Sequence, residues 1–350
     1  MVDHSARSSL DLDNFTNRKS YRKLVLCMGI LLGFLVTAAL CVGRYSMNPA
    51  DIINVISATI SCRKADEAMK NIFFLIRLPR VLAALLIGAA LTLSGAAYQS
   101  TFRNPLISPD LLGVSSGASM GAATAIFFGF SLQAIQFFAF TGGILAVLLA
   151  TSIPKLLRNS SNLMLVLSGV IVSGFMNALI GVLKFISKEQ DQLSSIVFWQ
   201  MGSLARVNAR QLASVTPSII ISMTVMLVIS WRLNILSFGE QEAQTVGINV
   251  PRLRGLAIIS ASLLTASSVC VSGTIGWIGL IIPHFGRLLC GSDNTKLMPV
   301  AALLGGAFLL IIDTLARTLT SMEIPLSILS GLAGAPMYVW LLSRQRAKIL

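Results

Sequence analysis

Charge is scarce in this chain. Only 12% of its 350 residues are Asp, Glu, Lys or Arg, about half the share of a soluble globular domain. Carboxylates are nearly missing from the apolar stretches. Asp313 is the clearest case, and Arg317 stands four residues on, so an i,i+4 pair is available. A carrier driven by protons or sodium needs membrane-buried acids for its coupling ion, so this scarcity argues against a secondary transporter. No G-x-x-x-x-G-K-[ST] occurs, which excludes ATP binding through a P-loop in this chain. H-E-x-x-H and Cys/His clusters are also missing, and the two histidines are His4, in the tail, and His284, where a helix-end hydrogen bond is the simplest role. The five cysteines (Cys27, Cys41, Cys62, Cys270, Cys290) have no ligand spacing and read as small packing residues. The methionines are scattered rather than clustered, which excludes a copper or haem relay. No linker or low-complexity segment breaks residues 24–350, so they read as a single transmembrane domain behind a polar tail, 1–23.

What the chain has is apolar surface. It is 55% hydrophobic, with a mean hydropathy of +0.79. Ten runs approach the roughly 20 residues that cross a bilayer core as helix: 24–43, 78–99, 112–130, 134–154, 163–184, 213–231, 256–272, 275–290, 298–315 and 325–342. They are continuous rather than alternating, so they predict helices and not barrel strands. The fold class is therefore all-α and polytopic. The first run follows Arg18, Lys19, Arg22 and Lys23 and has no small-x-small site before Gly43, so it reads as an uncleaved span. Net charge is +13, carried in the loops between runs. A modest positive-inside bias places both termini in the cytoplasm. That orientation leaves Arg44, Arg63, Lys64, Lys188, Arg77, Arg80 and Arg317 among the basic residues outside.

Two polar stretches interrupt this pattern. In "TFRNPLISPDLLGVSSGASMG" (101–121), Pro105 and Pro109 stop helices, Asn104 can bond its local backbone, and Gly113, Gly117 and Gly121 form a doubled G-x-x-x-G suited to close helix packing. Gly29 and Gly33 make a second such pair, and Gly273, Gly276 and Gly279 recur every third residue. "RLNILSFGEQEAQTVGINVPRLRG" (232–255) carries Glu240 and Glu242, with glycines at 239 and 247 that would end short helices. It predicts a pair of short helices at the cytoplasmic face, with Ala243 and Val246 as an apolar stripe for a docking partner.

Six blocks, in order, resemble the membrane permeases of ABC importers for iron–siderophore chelates, haem and vitamin B12. They are "RLPRVLAALLIGAALTLSGAAYQSTFRNPLISPDLLGVSSGAS" (77–119), "FWQMGSL" (198–204), "GEQEAQTVGINV" (239–250), "GTIGWIGLIIPHFGRLL" (273–289), "DTLAR" (313–317) and "IPLSILSGLAGAPMYVWLL" (324–342). The resemblance implies a vitamin B12 permease-like fold of ten spans with inverted repeats. It also implies a homo- or heterodimer with the substrate path on its axis, two ATP-binding subunits below and an extracytoplasmic binding protein above. The host membrane would be the plasma (inner) membrane of a prokaryote. No cofactor is expected in this chain, because ATP and magnesium belong to the partner ATPase.

Residue by residue, the resemblance gives Arg77, Arg80 and Arg317 to docking of the binding protein, through carboxylates held in two-point contact. Asn104 and Leu106 match the inner gate, with Ser161 and Asn162 at the family's second gate element. Phe238, Gly239, Glu240, Ala243, Val246 and Gly247 lie in the ATPase-coupling helices, about 234–252. Val246 stands where leucine is common and Gln244 where arginine is common. The implied function is inward translocation of a ferric chelate through a mostly apolar path, driven by ATP hydrolysis on a separate subunit. Within the family, cobalamin and molybdate or tungstate are the alternatives. From other classes, a secondary transporter, a channel and a scaffold without transport stay open.

Overall fold

The computed structural model describes residues 18–43, 45, 47–61, 66–158, 161–187 and 190–346. Expectations for the tail before Arg18, for Arg44, Cys62, Arg63, Lys64 and Lys188, and for the chain after Arg346 fall outside the described residues. The described residues form α1 (Arg18–Cys41), α2 (Pro49–Ile60), α3 (Glu67–Asn71), a π-helical stretch (Ile72–Arg77), α4 (Leu78–Thr101), a 3-10 turn (Pro109–Leu112), α5 (Val114–Phe127), α6 (Leu132–Leu156), α7 (Asn162–Ile186), α8 (Gln190–Met201), α9 (Ala209–Phe238), α10 (Glu240–Thr245), α11 (Val250–Ser272), α12 (Ile278–Cys290), α13 (Asn294–Thr318) and α14 (Leu326–Arg346). No strand occurs among them.

All ten expected spans fall on helices. Seven of the helical segments are long and apolar enough to cross a membrane. Three of the expected spans are not: α5, α12 and α14, whose apolar part is the shorter Leu326–Leu341. α5 has 14 residues and α12 has 13, which is about 20 Å of helix each. Both begin after irregular backbone with a residue at positive φ, Gly113 at 78° and Trp277 at 73°. Two stretches read as loops are partly helical: α2 and α3 lie within 44–77, and α8 lies within 185–212.

The bundle is built around α4. Nearly all of it, from Pro79 to Thr101, is buried, the exceptions including Leu82, Leu85 and Leu86. Its first half packs with α1, α12, α13 and α14 around Ile87, Leu204, Ile278 and Leu309. Its second half packs with α5, α6, α7, α9 and α11 around Leu93, Tyr98, Met226 and Leu264. Glycine sets how close the neighbours come. A Cβ on Gly88 would lie 2.2 Å from the Gly305 carbonyl oxygen, and one on Gly95 would lie 1.8 Å from that of Gly279. Small residues allow this approach where no hydrophobic effect drives helices together. Polar cross-links accompany it: the Tyr98 hydroxyl and Ser262 Oγ are 2.7 Å apart, and Ser94 Oγ donates to the Ala261 carbonyl at 2.9 Å.

Gly117 and Gly121 do pack α5 against α6, where added Cβ atoms would lie 2.4 Å from the Gly142 oxygen and 2.0 Å from the Phe138 oxygen. Gly113 serves differently. It turns the chain into α5 at positive φ. Gly29 and Gly33 have nothing within 4 Å of an added Cβ, so the expectation of a packing pair there is corrected: they lie on an open face of α1. Gly95→Val is accordingly expected to cost more than the roughly 1–3 kcal/mol of ordinary overpacking and to deplete the monodisperse fraction after detergent extraction. Gly29→Val should leave that fraction and the thermal transition near wild type.

Candidate translocation path and coupling face

Three arginines converge at the N-terminal end of α4, and all three turn inward. Arg77, Arg80 and Arg317 are 4%, 6% and 7% exposed. The last carbonyls of a helix have no partners inside it. Here Arg77 donates to the carbonyls of Leu40, Cys41 and Tyr45, and Arg317 donates to that of Ala39, so the pair closes the end of α1. Arg80 Nε lies 3.0 Å from both Asp313 carboxylate oxygens. Its two terminal nitrogens hold Glu323 at 2.8 and 2.9 Å in a fork. The expected Asp313–Arg317 pair is long, at 3.9 Å. In the single chain these guanidinium groups fasten α1, α4, α13 and the 319–325 loop to one another. Their reason is local: α1 ends in orphan carbonyls, and Asp313, wholly buried, needs a counter-charge.

A groove of about 390 Å³ runs along one side of the bundle. Ser115, Ser116 and Ser119 of α5 form one wall, and Asn177 of α7, Gln200 of α8, Thr274 and Ser327 face them. Asp110 is the one charged residue of its lining, and Ser115 Oγ donates to it. This lining is rich in hydroxyl and amide groups, unlike the mostly apolar path that the sequence predicts. The signal was present in the sequence: Asn177 is a lone amide in an apolar run, and serines at 115, 116 and 119 share one helix face. Each reads as ordinary helix polarity until the fold sets them together. A second cavity, about 580 Å³, opens toward the arginine end and is lined by Phe198, Trp199, Arg206, Gln211 and Glu323 among others.

At the far end of α4 the chain turns through residues 102–113. Asn104 Oδ1 accepts the Leu106 N–H at 2.9 Å, which forms the local turn expected of it. Leu106 is 57% exposed. The turn is pinned to α4: Asn104 N–H donates to the Gln99 carbonyl at 3.1 Å, and Gln99 Nε2 donates to the Ile107 carbonyl at 3.3 Å. Ser161 caps α7, accepting the Met164 N–H at 3.2 Å. Asn162 Oδ1 is buried without a hydrogen-bond partner among the described residues.

The 232–255 segment differs from the expected helix pair. Residues 234–238 continue α9, whose 30 residues extend about 45 Å. The short helix α10 follows Gly239, and the next helix is the first turn of α11. Gly247, at φ 81°, closes α10 by donating to the Gln244 carbonyl at 2.9 Å. Asn249 caps α11, and Glu240 pairs with Arg254 at 2.5 Å. Ala243 is fully buried against the bundle, so it is not part of an outward stripe. The outward apolar residues are Phe238, 77% exposed, and Val246, 62% exposed, with Glu240, Glu242 and Gln244 around them.

Residues 31–344 match the FecCD transport family. The molybdate import system permease protein of Haemophilus influenzae is 40% identical over 321 residues, which span 91% of this chain and 95% of that one. An iron chelatin transport system permease protein assigned in Helicobacter pylori is 43% identical over 280 residues, 80% of this chain and 85% of that one. A solved inward-facing conformation of an ABC transporter assigned as metal-chelate type superposes with a TM-score of 0.83 at 39% identity, covering 92% of this chain and 99% of that one.

The arginine cluster carries a direct test. Arg80→Ala leaves the buried Asp313 with only the long 3.9 Å contact to Arg317 and should destabilise the protein, by up to about 3–5 kcal/mol if that contact compensates nothing. Arg80→Lys should recover only part of that loss, because an ammonium cannot span two carboxylates. Thermal unfolding in detergent checks both.

Proposed function

The chain belongs to the FecCD transport family as a permease subunit of an ABC importer, and we propose that it carries a ferric chelate (a siderophore complex or haem) inward at the expense of ATP hydrolysed on a separate subunit. The observation that supports the chelate is the groove lining. Hydroxyls and amides offer many weak contacts, and Asp110 is the only charge among them. A bare oxyanion would meet a carboxylate there with no cation to offset it. A chelate whose metal charge is masked by its organic ligand would not, and a siderophore complex without free carboxylates fits this better than haem with its two propionates. The similarity to a molybdate permease supports molybdate as the second reading.

In this reading the groove is half of the path, and a second permease chain completes it. α7 and α14 flank the groove and leave large apolar residues open, Phe175 at 59%, Leu332 at 69% and Val339 at 66% exposed. The turn at 102–107, with Asn104 and Leu106, forms the inner gate, and the capped start of α7 at Ser161 and Asn162 is its neighbour. Phe238 and Val246 enter a cleft of the ATPase, with Glu240 and Gly247 fixing the shape of the segment between them. The binding protein docks at the arginine end. There Arg80 holds Glu323 beside the larger cavity, so the buried arginines shape the docking surface. Both termini lie in the cytoplasm. Specificity rests with the binding protein, which accounts for a path without a tight ligand set.

Uptake of radiolabelled iron as several chelates, beside labelled cobalamin and molybdate, in host cells with and without the gene tests the substrate. Loss of one iron chelate is expected. Loss of molybdate uptake alone would replace the substrate and keep the class. A second measurement tests the coupling face: Phe238→Asp should cut co-purification of the ATPase at least about tenfold, since interface anchors commonly contribute 2 kcal/mol or more, while the permease still extracts as a folded protein.

A further inference from the structure

Three residues far apart in sequence meet at the end of the bundle that carries α10. Asn234 lies one turn before Phe238 on α9. Its Oδ1 accepts the Asn294 N–H at 2.7 Å, and its Nδ2 donates to Asp293 Oδ1 at 2.6 Å. Asp293 caps α13, accepting from the Thr295 N–H at 2.9 Å and the Thr295 hydroxyl at 2.7 Å. Burial raises the Asp293 carboxyl, but the hydrogen bonds from Thr295 and Asn234 outweigh it and hold the group below its ordinary value. Asn234 therefore grips the first turn of α13 with both ends of its amide. Asn294 is 3% exposed, and its Oδ1 accepts Ser100 Oγ at 2.9 Å. Ser100 stands in the last turn of α4. Its carbonyl accepts the Arg103 N–H at 3.3 Å, and the neighbouring Gln99 holds Asn104 and Ile107.

We propose that Asn234, Asn294 and Ser100 form a positioning relay that transmits displacement of the ATPase-docking segment to the 102–107 turn. The inference rests on the reading of the protein as an ATP-driven permease and names how its two ends communicate. α10 follows the end of α9 after a single residue, Gly239, and Glu240 ties α10 to α11 through Arg254. A displacement of α10 therefore acts on Asn234 directly. Apolar side chains can slide past one another at little cost, but a two-ended amide grip on a helix cap is directional and holds its register. The remaining links are short: the cap of α13, one buried asparagine, one serine, and a turn tied to that serine and its neighbour.

The test uses the complete transporter, with ATPase and binding protein, in nanodiscs. All five native cysteines are replaced, and an environment-sensitive bimane is attached through Leu106→Cys at the turn or through Gln244→Cys beside the docking residues. Emission is compared without nucleotide and after trapping with ATP and vanadate. With the relay intact, both probes should shift. In Ser100→Ala and in Asn234→Leu, the Gln244 probe should keep its shift and ATP hydrolysis should continue. The Leu106 shift should fall at least about fivefold, the lower range of ordinary coupling. Ser100→Thr, which keeps the hydroxyl, should retain the Leu106 shift, and a purely structural role for Ser100 would not separate the two probes. Ser100→Ala removes one hydroxyl from a helix and keeps the protein foldable, so the result does not hang on the bulkier Asn234→Leu. A Leu106 shift within about twofold of wild type in both variants would overturn the relay. So would a wild type in which only the Gln244 probe responds. If neither probe responds in wild type, the ATP-driven reading fails and the relay falls with it.

Discussion

Backbone-to-backbone contact of α4 with α12 and α13 is the constraint on which the rest of the structure depends. In a membrane, lipid competes for every apolar side chain, so helices stay together through close packing and polar links rather than through exclusion from water. Gly88 against Gly305 and Gly95 against Gly279 remove the side chains that would otherwise hold these helices apart. With its neighbours this close, α4 can bury polar side chains: the hydroxyls of Thr92, Ser94 and Tyr98 and Nε2 of Gln99 are satisfied across the contact or within the helix, whereas Gln99 Oε1 and Thr101 Oγ1 have no hydrogen-bond partner among the described residues. α4 then carries something at each end. One end holds the Arg80, Asp313 and Glu323 cluster, and the other holds the turn with Asn104.

Fixing α4 in this way divides the molecule into a rigid centre and open flanks. The centre is α4 with α11, α12 and α13. The flanks are the faces of α1, α7 and α14, where large apolar side chains stay exposed in the single chain. The polar groove lies on the α7 and α14 side. Its hydroxyls and amides are too numerous for a lipid-facing surface, and its openness along one edge suits completion by another permease chain. Weak, repeated polar contacts fit a path that must release its cargo.

Much of this was legible in the sequence. The apolar runs located the helices of all ten spans, because continuous hydrophobicity over a bilayer thickness leaves little choice of structure. Gly117 and Gly121 were legible as packing residues from their spacing, whereas Gly29 and Gly33 have the same spacing and no neighbour, since spacing does not say which face meets a helix. Asn104 was legible because an Asx turn is local. The burial of the arginines was not legible. A charge beside a span reads as surface, and only the fold shows that the end of α1 supplies carbonyls and that Asp313 and Glu323 supply carboxylates. Ala243 failed for a related reason: a six-residue helix has too few turns to reveal its buried face. The groove serines and Asn177 could not be grouped in advance, because they come from helices whose order around α4 is a property of the packed bundle.

The central claim is that the polar groove is the aqueous route through the membrane, and solvent access measures it most directly. Single cysteines at Ser116, Asn177 and Thr274, in a cysteine-free background within the assembled transporter, can be compared with cysteines at the exposed apolar positions Leu145 and Leu149 of α6 for reaction with a water-soluble maleimide. The account predicts that the three groove positions react in the nucleotide-free state and become protected when ATP is trapped, while Leu145 and Leu149 stay unreactive in both. Groove positions that react no faster than Leu145 and Leu149 would contradict it, and the route would have to be sought elsewhere in the bundle.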